Sequence, residues 1–320
     1  MISTQEFSER IFSNDKRAVS RGITIVEGEM TDSIELLKSI HKRVGHGYRI
    51  GITGPPGAGK STLTNQLTKL LRRENKTVGI IAVDPTSPFT GGALLGDRVR
   101  MSEIGNDPGV FIRSMATRGS LGGISKKTID AADVLDAAGY EYILLETVGV
   151  GQSELDIASA ADTTLVVLVP ESGDSIQAMK AGLMEIADIF ILNKSDRPGA
   201  DSSLMALKTI LMMRDHNSAS WMPDIIKTIA IENYGIERMS DEIAKHRKFQ
   251  IDNNSLVHKR EKNFQVRIKG IVEYFFRNEL WEAERAENLR KSLSGVVEGE
   301  FSPYELAETI FNDFKLTLKK

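Results

Sequence analysis

The chain has 320 residues, 41% hydrophobic and 27% charged, with 41 Lys+Arg against 44 Asp+Glu for a formal charge of −3. This is a globular composition with length for a large core, which excludes a disordered tail protein, a collagen-like repeat and a small stapled scaffold. There is no cysteine, so a disulfide framework, a thiolate zinc site and a Cys nucleophile are excluded, and the near-balanced charge implies no broad basic face for nucleic acid. The five histidines are dispersed, at 41, 46, 216, 246 and 258. Glu6, Glu9 and Arg10 stand where a secretory signal would be apolar, and no run of 18 apolar residues occurs. A soluble, cytoplasmic protein with no membrane partner is expected.

In chain order the sequence reads in three parts. Residues 1–47 are helical and polar, with Leu36, Leu37 and Ile40 forming an apolar stripe behind a cap at Thr31 or Asp32. Residues 48–236 alternate amphipathic stretches with short apolar, β-branched runs at 48–53, 78–83, 110–113, 142–146, 164–169, 189–193 and 225–230. Strands buried on both faces look like this, and their alternation with helices predicts an α/β fold with a doubly wound, mostly parallel sheet. Residues 237–320 return to helix. Phe264, Ile268, Ile271, Val272, Phe275 and Phe276 recur at helical spacing, and Ser302-Pro303-Tyr304-Glu305 has the pattern of a capping box. The apolar face of Leu306, Ile310 and Phe314 suits either packing on the chain's own core or a dimerisation arm.

The strongest motif is Gly54-Pro55-Pro56-Gly57-Ala58-Gly59-Lys60-Ser61, a G-x-x-x-x-G-K-[ST] phosphate loop between a predicted strand and a predicted helix. Glycines there let backbone N–H groups turn toward a triphosphate, and the helix N-terminus adds partial positive charge. Residues Gly54 to Ser61, with Thr62 behind them, are expected to hold the phosphates, Lys60 bridging the β- and γ-phosphates and Ser61 ligating Mg²⁺.

Asn193-Lys194-Ser195-Asp196 follows the predicted strand 189–193. An Asp carboxylate accepts two hydrogen bonds from the guanine N1–H and amine, whereas adenine offers an unprotonated nitrogen there. GTP and GDP are therefore the expected nucleotides, with Asn193, Lys194 and Asp196 at the base and the Ala230 N–H toward the guanine carbonyl. Glu146 closes the strand 142–146 and is followed by Thr147, Val148 and Gly149. An acid at such a strand end suits Mg²⁺, and Gly149 would offer its N–H to the γ-phosphate. Many GTPases have Asp where Glu146 stands. Asp84 and Asp97 supply further hard oxygen donors, giving Ser61, Asp84, Asp97 and Glu146 as the metal set and Lys60, Asp97 and Glu146 as the catalytic set. Val150, which cannot orient water, follows Gly149. Hydrolysis then needs another residue or a partner.

With these motifs in place the chain resembles the GTPases associated with methylmalonyl-CoA mutase, the MeaB/ArgK group. The resemblance rests on Asp84-Pro85-Thr86-Ser87-Pro88, Thr90-Gly91-Gly92, Leu95-Gly96-Asp97-Arg98, Arg113-Ser114-Met115, the run from Glu146 to Glu154, and Asn193-Lys194-Ser195-Asp196. It implies a homodimeric G protein that escorts a cobalamin-dependent acyl-CoA mutase, gating adenosylcobalamin loading and removal of damaged cofactor. The family's extra switch loop corresponds to residues 171–180, where Glu171 follows Pro170 and relatives usually have Gly. An older family label is a kinase tied to arginine and ornithine transport, so a P-loop small-molecule kinase is the alternative reading; Asn193-Lys194-Ser195-Asp196 disfavours it. A nickel-insertion GTPase would need Cys or His clusters that this chain lacks.

Overall fold

A computed structural model describes residues 3–28, 32–84, 103–116, 126–147, 153–170, 181–213 and 220–317. Seven strands form one sheet: β1 (Tyr48–Thr53), β2 (Val78–Asp84), β3 (Val110–Ala116), β4 (Tyr142–Thr147), β5 (Thr163–Leu168), β6 (Ile189–Asn193) and β7 (Ile225–Thr228). Their order is β3-β2-β4-β1-β5-β6-β7, and every pairing is parallel. This is the expected doubly wound α/β sheet. Beyond β7, residues Ala230–Glu232 form a 3₁₀ turn instead of continuing the strand to 230. The order reverses at β1, and ligands of such sheets bind beyond the carboxyl ends of strands at that point.

Strand periodicity of two sorts the apolar side chains into layers. Along β6, Ile189 and Ile191 join one cluster while Phe190 and Leu192 join another. The cluster containing Ile50, Ile52, Val78, Ile80, Leu165 and Val167 is covered by Leu63, Leu67 and Leu71 of α4 (Lys60–Arg73) and by Ile236, Met239 and Ile243 of α9 (Ile236–Asp252). Across the sheet, Ile81, Val83, Ile143 and Leu145 pack with α5 (Lys126–Ala137) and Ile157 of α6 (Ser153–Ala160). Ile11 of α1 (Thr4–Phe12), Val19 and Ile23 of α2 (Lys16–Glu27), and Leu36 and Ile40 of α3 (Ser33–Ile40) belong to that same cluster. The N-terminal helices thus contribute to the core of the sheet. On that same face, α7 (Ala181–Ile186) and α8 (Ala200–Met212) cover Val166, Leu168, Phe190 and Leu192 of β5 and β6.

The amino end of the sheet is held by charge. Asp136, at the end of α5, accepts hydrogen bonds from the N–H groups of Gly45 (2.8 Å), His46 (3.1 Å) and Gly47 (2.8 Å). The Arg49 guanidinium reaches Asp133 at 2.6 Å and Asp136 at 3.3 Å. Asp162 accepts from the Arg49 N–H and takes both carboxylate oxygens to Arg260 at 2.8 and 2.7 Å. These bonds fix the turn that feeds β1.

The chain divides into two compact units, 1–260 and 261–320. In the second lie most of α10 (Ser255–Leu280), α11 (Ala283–Glu298) and α12 (Pro303–Thr317). The capping box forms as read, with Ser302 N–H donating to Glu305 at 2.6 Å and Glu305 N–H to Ser302 Oγ at 3.2 Å. Phe314 is buried edge-on against Phe276, and the Arg285 guanidinium lies over its ring. No helix of the described residues is long and apolar enough to cross a membrane.

The Asp136 cluster yields a stability prediction. Asp136→Ala strips a buried carboxylate from three backbone N–H groups and Arg49. Unfolding free energy from urea titration should fall by about 3 kcal/mol or more, and a change below a third of that would show that the turn holds without it.

Candidate nucleotide site

The phosphate loop sits where β1 ends. Gly54 has φ +136°, and a Cβ there would lie 2.1 Å from the Val167 carbonyl oxygen of the neighbouring β5. Gly59, with φ +93°, is the N-cap of α4, and its missing Cβ would lie 2.3 Å from Asn193 Nδ2. Only glycine fits either place. No side chain caps α4, so the N–H groups of its first turn, at Lys60, Ser61 and Thr62, are directed out of the helix with its positive dipole end. Pro55 and Pro56 carry the loop outward; Gly57 is exposed and Ala58 buried. Lys60 is buried, its ammonium bonded to the carbonyls of Gly54 (2.8 Å) and Pro55 (3.0 Å). The lysine is thereby curled under the loop that it follows.

Glu146 lies in register with Ile52 of β1 and Ala82 of β2, which brings its side chain beside α4. It is 4% exposed. Ser61 Oγ donates to Glu146 Oε1 at 2.5 Å and Thr64 Oγ1 to Glu146 Oε2 at 3.0 Å. Beside it, Thr147 donates to Thr53 at 2.9 Å, joining the strand that ends in the loop to the strand that ends in the acid. The Asp84 backbone closes β2 opposite Ala116; its side chain, with all of Asp97, Gly149 and 171–180, lies outside the described residues. Among those described, no three His, Cys, Asp or Glu side chains form a metal-holding group.

Asn193 ends β6 and is buried. Its amide donates to the Ala58 carbonyl at 2.8 Å and accepts from Thr228 Oγ1 at 3.0 Å and from the Ala230 N–H at 3.1 Å. The Ala230 N–H, read from sequence as a donor to guanine, is therefore directed at Asn193. Lys194 has φ +56° and is half-buried, while Asp196 is exposed two residues on. The Ser195 N–H donates to the Thr228 carbonyl, and Gln66 of α4 donates to the Ala230 carbonyl at 3.1 Å. Sequence reading passed over Thr64, Gln66 and Thr228. Their one signal is polarity at helix or strand positions that the apolar pattern marks as buried.

Phosphate loop, buried strand-end acid and Asn193 stand together at the carboxyl edge of a parallel sheet. Residues 19–285 match the family described as methylmalonyl-CoA mutase-associated GTPase MeaB. The chain belongs to the MeaB family. It is a GTPase of the P-loop class and binds guanine nucleotide. A Pyrococcus abyssi protein is 46% identical over 96% of both chains. The mouse mitochondrial methylmalonic aciduria type A homolog is 31% identical over 97% of this chain and 80% of its own. GTPase ArgK of Escherichia coli is 35% identical over 73% of this chain and 73% of its own. A crystal structure of an LAO/AO transport system kinase superposes with TM-score 0.73 at 25% identity, covering 98% of this chain and 97% of that one.

Asn193→Ala in this MeaB-family chain leaves the Ala58 carbonyl and the Ala230 N–H without their bonds. Chemical denaturation of the nucleotide-free protein should show a loss of about 2–4 kcal/mol. Parental stability would mean that the amide does not tie the loops together.

Proposed function

We propose that this GTPase binds GTP across the loop and β6, hydrolyses it slowly alone, and serves as the chaperone of a cobalamin-dependent acyl-CoA mutase. The observation that carries the nucleotide part is the Ser61–Glu146 contact at 2.5 Å, directly behind the phosphate loop. A hydroxyl and a carboxylate there are hard oxygen donors of the kind Mg²⁺ takes with substrate phosphates and water, so the residues fit the ion. Ser61, Glu146, Asp84 and Asp97 are assigned to hold it, and bound Mg²⁺ would neutralise charge on the β- and γ-phosphates.

The chain's own groups are given the following work. Residues Gly54 to Thr62 cradle phosphate oxygens with backbone N–H groups. Lys60 exchanges the carbonyls of Gly54 and Pro55 for phosphate oxygens as nucleotide enters, and Gly149 adds an N–H at the γ-phosphate. Asp196 accepts from the guanine N1–H and amine, with the Lys194 stem against the base. Asn193 holds the loops that frame it. A guanine carbonyl at Ala230 must share or displace the Asn193 bond to that N–H. Val150 beside Gly149 leaves the attacking water unoriented, which is the reason to expect acceleration by a partner.

A mutase partner is supported by the family description. Homodimerisation is supported by the second unit. Among its described residues only Arg285, Gly295 and Phe314 are buried, while Ile268, Val272, Phe275 and Phe276 remain exposed on α10. A 26-residue helix with no buried residue needs a covering surface.

Two measurements test this reading. Asp196→Asn presents an amide that can both donate and accept. GTP affinity should fall by about 2 kcal/mol or more while xanthosine triphosphate affinity rises; unchanged GTP affinity would place the base elsewhere. Single-turnover hydrolysis of γ-labelled GTP should quicken at least tenfold, about 1.4 kcal/mol, when the acyl-CoA mutase of the source organism is added, with label recovered as inorganic phosphate. No complex and no acceleration would remove the chaperone reading, and label on an amino acid would establish the kinase alternative.

A further inference from the structure

Glu146 meets α4 through two hydroxyls, and only the first belongs to the phosphate-loop motif. Ser61 and Thr64 lie three residues apart, on one face of the helix and one turn from each other. Ser61 faces Oε1 at 2.5 Å and Thr64 faces Oε2 at 3.0 Å, so each carboxylate oxygen has its own hydroxyl. A Glu side chain has one more methylene and one more torsion than Asp, and its terminal torsion is broad. The longer arm lets one carboxylate meet two successive turns of α4, and the second contact removes the torsional freedom that the extra methylene brings.

The Thr64 hydroxyl has one proton and two acceptors in reach, Glu146 Oε2 and the Lys60 carbonyl at 2.9 Å. The carbonyl already belongs to the hydrogen-bond ladder of α4, whereas Oε2 is a charged acceptor in a residue 4% exposed. Bonds to charge are the stronger, and Thr64 is itself fully buried, so water does not compete. Resting on the reading of Glu146 as a Mg²⁺ organiser, we propose that Thr64 is a positioning residue that holds Glu146 Oε2 so that Oε1 stays turned to Ser61. In that role it sets how much Mg²⁺ the nucleotide complex requires.

The test is the release rate of fluorescently labelled GDP as a function of Mg²⁺ concentration, with a parallel measurement in chelator. Thr64→Val, which keeps shape and removes the hydroxyl, should raise the Mg²⁺ concentration for half-maximal retention about tenfold. Affinity in chelator should stay within about twofold of the parent, and Thr64→Ser should restore the parental Mg²⁺ response. In a Glu146→Ala background the same Thr64→Val change should add nothing, because its route to the metal is gone. Thr64→Ala, which adds no bulk, is measured alongside. Parental Mg²⁺ dependence in both variants, or an equal shift in the Glu146→Ala background, overturns the proposal. So does failure of both to fold while Thr64→Ser is intact, since the hydroxyl would then be structural. If Glu146→Ala itself responds to Mg²⁺ as the parent does, the metal assignment of Glu146 falls first.

Discussion

The amide of Asn193 is the constraint on which the site depends. It is buried at the end of β6, donates to the loop at Ala58, and accepts from Thr228 at the end of β7 and from Ala230 beyond it. One planar group with donors on one side and an acceptor on the other can span two loops that never touch in sequence. Because it is desolvated, losing any one of these bonds would leave a polar group unpaired at a cost comparable to a whole cap or core methyl. Gly59 belongs to the same constraint, since a Cβ there would lie 2.3 Å from the amide nitrogen. The loop approaches Asn193 closely only because residue 59 has no side chain.

On the other side of β1, Glu146 does for α4 what Asn193 does for the loops at Ala58 and Ala230. Ser61 and Thr64 meet its two oxygens, and Thr147 next to it bonds Thr53 at the end of β1. The strand end, the helix and the loop between them therefore form one hydrogen-bonded assembly. A shift at the end of β4 passes to the Ser61 hydroxyl through Glu146, and under the function proposed above that is a route to the Mg²⁺ ligands.

The opposite end of the sheet is stabilised by different means. There Asp136, Asp162, Arg49 and Arg260 pair charges around the turn that enters β1. Buried pairs of this kind contribute little over apolar packing, but breaking one is costly, so they favour register over raw stability. Under the function proposed above, Lys60 at the other end gives up its two carbonyls to phosphate. The amino-end groups pair with one another instead.

Sequence alone determined the α/β class, the seven apolar runs and the positions of the phosphate loop, Glu146 and Asn193-Lys194-Ser195-Asp196. These are local properties: strand burial shows as continuous apolar character, and glycine spacing reports backbone conformations that few other residues adopt. The tertiary structure decided the strand order and the merging of α1–α3 into the core, because those depend on which amphipathic faces meet. It also decided that the Ala230 N–H turns to Asn193, and that Thr64 and Gln66 reach Glu146 and the Ala230 carbonyl. A buried threonine on a helix is written in sequence as an ordinary polar residue. Its partner, 82 residues away along the chain, is set by the packing of α4 on the sheet.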